Sequence, residues 1–216
     1  MKIVCISDTH SYHNSMSQQI PDGDVLIHAG DFTGTKNDFS KKGNQHEVIE
    51  FNKWLGKLPH QHKILIAGNH DFYMAEHPYT AKDLVTNATY LEDTSTEIDG
   101  IKFYGSPYTP WFYDWAFNIK DDSDLIKKWS NIPTDTNVLI THGPPRSFCD
   151  LTDRYVNAGC KFLLERIHTL PNLKAHVFGH IHESYGVELY KEVQYVNASI
   201  CNFQYRPINK PIVIEI

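Results

Sequence analysis

The chain has 216 residues, of which 41% are apolar and 21% are charged, and its formal net charge is −6. This composition is typical of a globular protein with a sizeable core. The acidic balance argues against an extended basic surface for long nucleic acids. Every apolar run is too short to span a bilayer, so we also expect no membrane partner.

The 4 cysteines indicate a reducing environment. Cys5, Cys149, Cys160 and Cys201 are widely separated and form no C-x-x-C pair, which argues against a zinc site and against a disulfide framework. The apolar run before Asp8 is short for a secretory signal. We therefore expect buried free thiols and a cytoplasmic protein.

Runs rich in β-forming residues alternate with helical patterns along much of the chain. Their buried-strand composition predicts strands at 2–7, 25–29, 63–67, 138–141 and 175–178. Apolar residues recur at helical spacing in three segments, which we predict as helices at 46–58, 122–129 and 159–170. Strands that alternate with helices indicate an α/β fold.

The middle and the end of the chain carry antiparallel signals. Asp99-Gly100 separates two alternating segments in TEIDGIKFYG, which predicts a β-hairpin. A second hairpin is predicted in GVELYKEVQYVNAS, and a closing strand in KPIVIEI. We therefore predict an α/β protein in which two mixed β-sheets pack face to face and are flanked by helices. No repeat or linker interrupts the chain, so we expect a single domain over 1–216.

A residue of a metal-ligating type follows each predicted buried strand. The strand ends carry, in chain order, SDTH, HAGD, AGNHD, THG and GHIH. In open α/β sheets, ligand sites form beyond the carboxyl ends of the strands, so we expect these side chains to meet at one edge. The candidate ligands are Asp8, His10, Asp31, Asn69, His142, His180 and His182, beside which stand His70 and Asp71.

The remaining histidines have ordinary interpretations. His28 and His176 lie inside apolar runs, which is typical of core histidines with a hydrogen-bond partner. Polar loops and helix faces hold the others, which we expect to be solvated: His13, His46, His60, His62, His77 and His168. Any one strand-end residue taken alone would deserve the same interpretation, whereas the ordered set is not expected from core packing.

The size of the ligand set favours two metal ions over one. So many ligands crowd a single tetrahedral ion, but they suit two ions about 3.5–4 Å apart that share a carboxylate. The donors are nitrogen and oxygen only, which Mn, Fe, Zn and Co would all accept. Two divalent cations outweigh the charges of Asp8 and Asp31, and this excess favours a phosphate ester as substrate.

Taken together, the strand-end motifs resemble those of the calcineurin-like metallophosphoesterase family, whose pattern is D-x-H, G-D, G-N-H-[DE], [ST]-H-G and G-H-x-H. Other segments resemble its metallophosphoesterase-domain-containing subfamily of small cyclic-nucleotide phosphodiesterases, namely FNKWLGKLPHQHKILIAGNHD, YGSPYTPWFYDWAFN, LITHGPP, VFGHIHESYG and YVNAS. The resemblance implies a four-layer sandwich, with the two sheets between layers of helices.

The resemblance also implies a role for each candidate. Two sets of ligands would each hold one metal, with Asp31 bridging them: Asp8, His10 and His182 in the first set, and Asn69, His142 and His180 in the second. A metal-bridging hydroxide would attack the phosphorus. His70 would protonate the leaving oxygen rather than bind metal, and Asp71 could orient it. Asp31 and His70 are therefore the catalytic candidates.

Two features are candidates for substrate binding. Arg146 in HGPPR could neutralise phosphoryl oxygens, or equally be a surface residue. The segment PYTPWFYDWAF is dense in aromatic rings, which either pack in a loop or stack on a nucleobase. The rings in question belong to Tyr108, Trp111, Phe112 and Tyr113.

The sequence therefore predicts a metal-dependent phosphodiesterase that acts on small cyclic nucleotides. One alternative is a phosphomonoesterase or a nuclease with the same metal centre, although the acidic charge argues against a long nucleic acid. Another is a metal-free protein-binding scaffold, which would lack ligands that are present here. The Asp-Arg-Gly element of protein serine/threonine phosphatases is missing after Gly30, which argues against that activity.

Overall fold

The computed structural model describes residues 1–16, 20–34 and 43–216. In chain order its strands are β1 (Lys2–Ile6), β2 (Val25–Ala29), β3 (His62–Ile66), β4 (Thr89–Tyr90), β5 (Thr94–Ile98), β6 (Ile101–Ser106), β7 (Thr109–Pro110), β8 (Asn118–Ile119), β9 (Val138–Thr141), β10 (Ala175–Phe178), β11 (Gly186–Tyr190), β12 (Val193–Asn197) and β13 (Ile212–Glu215). Its α-helices are α1 (Gln45–Leu55), α2 (Phe72–Glu76), α3 (Asp122–Ser130) and α4 (Lys161–Ile167).

The strands form two mixed sheets. The first has the order β13-β1-β2-β3-β4, with β1 to β4 parallel and β13 antiparallel to β1. The second has the order β11-β12-β10-β9-β6-β5, in which the four central strands are parallel and both edge strands antiparallel. Strands β7 and β8 form a small separate pair. Because the central strands of each sheet are parallel, their carboxyl ends share one edge.

The core lies between the two sheets. Ile3 and Cys5 of β1 pack in the same cluster as Ile140 and Val177 of the second sheet, and all four are fully buried. The alternate residue Val4 faces the other side of β1, where it packs in a cluster with α1. Strands buried on both faces are continuously apolar, which is why the sequence pattern located them well.

The helices cover the outer faces of the sheets. Helix α1 packs on the first sheet through Val48 and Phe51, whereas α3 and α4 pack on the second through residues such as Trp129 and Leu163. The side chain of Asn44 begins α1 by accepting a hydrogen bond of 3.0 Å from the backbone N–H of His46. The order of layers is thus helix, sheet, sheet, helix, and it confirms the predicted fold class.

The predicted elements differ from the structure mainly at their ends. Helices α1 and α4 stop three residues before the predicted ends at 58 and 170, because the chain tightens there into turns in which Leu58 N–H donates to the Leu55 carbonyl and Leu170 N–H to the Ile167 carbonyl. The solvated interpretation was wrong for His13 and His60, which are buried. Within the described residues, no helix has the length and apolar character needed to cross a membrane.

Candidate metal centre

The two sheets are joined at the edge where their parallel strands end. Ser7, directly after β1, forms a parallel bridge with Ser199, which follows β12. The backbone beyond the strands then turns sharply at several non-glycine residues that adopt positive φ, a conformation that is uncommon outside glycine and is maintained by the surrounding structure. These residues include Asp8 (52°), His10 (42°), Asp31 (55°) and His180 (68°).

A first group of ligands consists of Asp8, His10 and His182, whose donor atoms lie within 4.8 Å of one another. His10 donates its Nδ1–H to the carbonyl of Gly34 at 2.9 Å, and His182 donates its own to the carbonyl of Asn202 at 3.0 Å. These bonds turn both Nε2 atoms towards each other at 3.2 Å, and that of His182 lies 3.2 Å from Asp8 Oδ1. Neutral imidazoles present lone pairs there, so a positive charge, either a proton or a metal ion, is needed between them.

A second group consists of Asp8, Asp31 and His142, and again its donor atoms lie within 4.8 Å of one another. The Nδ1–H of His142 is held by the carbonyl of Ala29 at 2.9 Å. Its Nε2 therefore faces Asn69 Oδ1 at 2.9 Å and Asp31 Oδ2 at 3.3 Å. This group too surrounds a space with oxygen and nitrogen acceptors.

The three histidines of these groups differ in pKa, because burial lowers that of His10 to about 3 whereas nearby carboxylates raise those of the other two. Burial acts to lower the pKa of His142, but the charge of Asp31 and their hydrogen bond raise it to about 9. Burial also acts to lower the pKa of His182, but the hydrogen bond and the charge of Asp8 raise it. The carboxylates of Asp8 and Asp31 thus favour positive charge at the imidazoles nearest to them.

His180 lies beside the second group. Its backbone N–H donates to both oxygens of Asp8, at 3.1 and 3.0 Å, and its ring centroid is 5.0 Å from that of His142. Burial, its largest influence, lowers the pKa of His180 to about 3, so the ring is neutral at neutral pH and can act as a ligand. Its donor atoms belong to none of the convergent groups found in the described part of the chain.

Asp71 supports the turn that carries Asp31. Its carboxylate accepts hydrogen bonds from the backbone N–H groups of Asp31, Thr33 and Gly68 at 2.7–2.9 Å, and from the Thr33 hydroxyl at 2.7 Å. The suggestion that Asp71 orients the ring of His70 is therefore wrong. It fixes the bridging candidate Asp31 instead.

His70 stands at the edge of the centre. Its backbone N–H donates to Asp31 Oδ1 at 2.7 Å, and its ring packs on Trp115 with 4.4 Å between centroids. Its Nε2 lies 3.4 Å from the hydroxyl of Tyr205. A nitrogen of His70 also lies within 4.8 Å of donor atoms of His10 and Asp31, so this ring borders both the candidate ligands and the space beside them.

A cavity of about 670 Å³ opens over these residues. Its floor includes Asp31, Asn69, His70, His180 and His182. The rings of Trp111, Phe112 and Tyr113 form part of its wall and are 49%, 62% and 62% exposed.

The other two residues proposed for substrate binding lie elsewhere. Tyr108 is half-buried, packs on Phe117, and has Lys128 Nζ 3.6 Å above its ring. Arg146 is exposed, and neither residue belongs to the described lining of the cavity.

Comparison with known proteins identifies the family. The profile of the family described as calcineurin-like phosphoesterase matches residues 1–184. The chain belongs to this family. As a calcineurin-like phosphoesterase it is a metal-dependent hydrolase of phosphoesters, which confirms the predicted enzyme class and sets aside the scaffold alternative.

Two relatives similar in sequence agree with this membership. Metallophosphoesterase domain-containing protein 1 of Homo sapiens is 42% identical in an alignment 239 residues long, which covers 100% of this chain and 71% of the relative. UPF0046 protein C25E10.12 of Caenorhabditis elegans is 37% identical in an alignment 235 residues long, which covers 100% of this chain and 81% of that protein. A solved archaeal phosphodiesterase is 20% identical, with a TM-score of 0.47 over 91% of this chain and 82% of the other.

The sequence patterns of this phosphoesterase did not indicate several residues that line its cavity. Trp115 lies in the aromatic segment but was not singled out, and Arg154 comes from a polar loop after β9. Phe203 and Tyr205 come from the segment between β12 and β13, which carries no ligand motif. Only the three-dimensional path of these loops brings them to the site.

Proposed function

We propose that this calcineurin-like phosphoesterase is a phosphodiesterase with two divalent metal ions that acts on small cyclic nucleotides. The observation that carries the proposal is the convergence of acceptor atoms from both sheets around the strand ends, as in the facing Nε2 atoms of His10 and His182 at 3.2 Å. Such an arrangement is unfavourable without cations and fits them well.

The distances around Asp31 support two ions rather than one. Its Oδ2 lies 3.9 Å from the Nε2 of His10 in the first group and 3.3 Å from that of His142 in the second. A carboxylate between two sets of histidines suits a bridging ligand. We therefore keep the assignment of Asp8, His10 and His182 to one ion, and of Asn69, His142 and His180 to the other. Mn, Fe, Zn and Co all match these donors.

The protein's own residues would then divide the work. Bound divalent ions supply Lewis acidity and a water molecule of lowered pKa. Asp31 and Asn69 would be metal ligands that face the cavity. His70, at the cavity floor, is placed to give a proton to the departing ester oxygen.

The cavity supports a small nucleotide as substrate. A volume of about 670 Å³ lies within the range of roughly 300–1,000 Å³ that is usual for small-molecule sites. The half-exposed rings of Trp111, Phe112 and Tyr113 offer faces on which a base can stack, a contact worth about 1–3 kcal/mol in single-stranded nucleic-acid complexes. Arg154 is the arginine among the described residues that line this cavity, whereas Arg146 is not one of them.

A substrate panel tests the proposal. Purified protein with added Mn²⁺ should hydrolyse bis(nitrophenyl) phosphate and a nucleoside 3′,5′-cyclic monophosphate faster than nitrophenyl phosphate or single-stranded DNA. Asp31→Asn should reduce every rate by at least about 100-fold, because the bridging charge is lost. The control His168→Gln changes an exposed histidine outside the centre and should keep full activity. A preference for nitrophenyl phosphate would instead favour a phosphomonoesterase, and a preference for DNA a nuclease.

Two broader assignments belong to this proposal. We treat 1–216 as a single metallophosphoesterase domain, which is supported by the one hydrophobic cluster that both sheets share. A cytoplasmic location is supported by the four cysteines, all of which are buried and free of disulfide bonds.

A further inference from the structure

Tyr205 reaches the centre from a tight turn after β12. The carbonyl of Asn202 accepts a hydrogen bond from the backbone N–H of Tyr205 at 2.8 Å. The Asn202 side-chain oxygen accepts two more, from the N–H groups of Gln204 and Arg206, each at 3.0 Å. Tyr205 itself has a φ of 58°, a strained value for a bulky residue that persists only where its surroundings enforce it. The turn therefore fixes where this side chain points.

The same turn supports the first ligand group. The carbonyl of Asn202 that holds Tyr205 also accepts the Nδ1–H of His182 at 3.0 Å. The Tyr205 ring packs against the rings of His10 and His182, with 4.7 and 5.1 Å between centroids. One side of the first group is thus covered by this ring, and the hydroxyl extends beyond it to His70.

Among the described residues, the two nitrogens of the His70 ring have different neighbours. A Cβ added at Gly34 would lie 3.1 Å from the Nδ1 of His70, so that edge faces the backbone. One face of the ring packs on Trp115. The Nε2 edge lies 3.4 Å from the Tyr205 hydroxyl, and both residues line the cavity. At this length the hydrogen bond is long, so it can orient the ring while Nε2 stays free to approach an ester oxygen as well.

We propose that Tyr205 is a positioning residue for His70: its hydroxyl holds the Nε2 edge of the imidazole towards the place where the leaving oxygen departs, and its ring fills the space beside His10 and His182. The inference rests on the proposed phosphodiesterase function and adds a determinant of leaving-group dependence to it. A group that assists the leaving oxygen acts only from near hydrogen-bond distance, so the orientation of its ring affects the rate. Substrates with poor leaving groups depend on this assistance most.

Tyr205→Phe tests the inference, because it removes the hydroxyl and keeps the ring. In Mn²⁺-saturated protein we expect kcat for a nucleoside 3′,5′-cyclic monophosphate to fall about tenfold with KM unchanged, whereas bis(nitrophenyl) phosphate loses less than about twofold. The matched control is Tyr90→Phe, which also removes a hydrogen-bonded tyrosine hydroxyl, one that donates to Glu92 at 3.1 Å outside the described lining of the cavity. It should leave both rates unchanged. Equal losses on the two substrates, or no loss on either, would contradict the positioning role.

A second measurement needs no turnover. In ¹H–¹⁵N spectra of the imidazole nitrogens of metal-free protein, with the His70 signals assigned from His70→Asn, Tyr205→Phe should move the Nε2 resonance of His70. The resonances of His28 and His176, whose rings bond to Thr9 and Thr141, should stay in place. An unmoved His70 resonance would disprove the contact. A wild-type protein that hydrolyses no diester would disprove the proposed function while this spectral result still stood, so the two failures are distinguishable.

Discussion

Two glycines in the strand-end motifs are required by the space around the carboxylates. A Cβ at Gly179 would lie 1.9 Å from Asp8 Oδ2, and one at Gly68 would lie 2.3 Å from Asp31 Oδ1. A carbon and an oxygen atom that are not bonded to each other do not approach so closely, so a side chain at either position must displace a ligand candidate or its neighbours. The glycines of GHIH and AGNHD therefore belong to the metal centre as much as the residues beside them.

Gly179→Ala should consequently impair metal binding. The added methyl group pushes the Asp8 carboxylate out of the first ligand group, so we expect the affinity for Mn²⁺ to fall by at least about tenfold and hydrolysis with it. Metal content by elemental analysis and the rate on bis(nitrophenyl) phosphate measure the two effects. The control is Gly100→Asn in the β5–β6 hairpin, where a Cβ would meet nothing within 4 Å and asparagine tolerates the positive φ. Normal metal content in Gly179→Ala would show that Asp8 is not a ligand.

At the scale of single residues, the sequence predicted which side chains meet but not what surrounds them. Asp8, Asp31 and His142 each follow a buried strand, and parallel strands end at a common edge, so their convergence could be inferred. Tyr205 and Arg154 lie in loops whose course depends on long-range contacts. The sequence suggested that Asp71 contacts the ring of His70, but its carboxylate bonds to the turn that carries Asp31, because neighbours in sequence often point in different directions.

Among the elements, length decided what could be predicted. Strands such as β2 and β10 lie exactly at 25–29 and 175–178 as predicted, because strands buried on both faces are continuous apolar runs. The two-residue strands β4, β7 and β8 and the short helix α2 were missed. Such short elements have no pattern of their own, and they form only because the folded protein brings their hydrogen-bond partners to them.

Strand β10 carries a buried histidine that makes stability depend on pH. His176 bonds to the Thr141 hydroxyl through Nε2 at 2.7 Å, and its Nδ1 has no partner within the described residues. Burial lowers its pKa from 6.5 to about 3. Between these values the unfolded chain takes up a proton that the folded protein excludes, so stability is complete above pH 6.5 and falls as the pH drops below it.

We therefore expect His176→Gln to flatten the acid side of the stability profile. Between pH 7 and pH 5 the wild type should lose about 2 kcal/mol more unfolding free energy than the variant. Urea unfolding of metal-free protein across this range measures the difference. If the substitution itself destabilises the protein equally at both pH values, that loss cancels in the comparison. His168→Gln, at an exposed position just after α4, provides the control and should leave the slope as it is. Equal slopes in His176→Gln and wild type would show that this imidazole is protonated in the folded protein.

On the scale of the whole molecule, the centre lies where the two sheets meet. Asp8, Asp31 and Asn69 follow strands of the first sheet, whereas His142 and His180 follow strands of the second. The register between the sheets was not predictable, because sequence patterns specify which face of a strand is buried but not which strand of another sheet covers it. Metal ions held by residues from both sheets would bind the folded protein and not the unfolded chain, so metal binding would add directly to the free energy of unfolding.

This linkage leads to an expected change in melting temperature. At a free Mn²⁺ concentration about 100 times the dissociation constant, one site contributes roughly 2.7 kcal/mol, which for a chain of this size raises the Tm by about 5–10 °C. Chelation by EDTA should reverse the shift, as calorimetry or fluorescence melting can measure. Asp31→Asn, which alters the carboxylate proposed to bridge the two ions, should remove most of it, whereas His168→Gln should retain it. A shift of equal size in Asp31→Asn would mean that Mn²⁺ stabilises the protein from another site, and the junction of the two sheets would then not be where the metals bind.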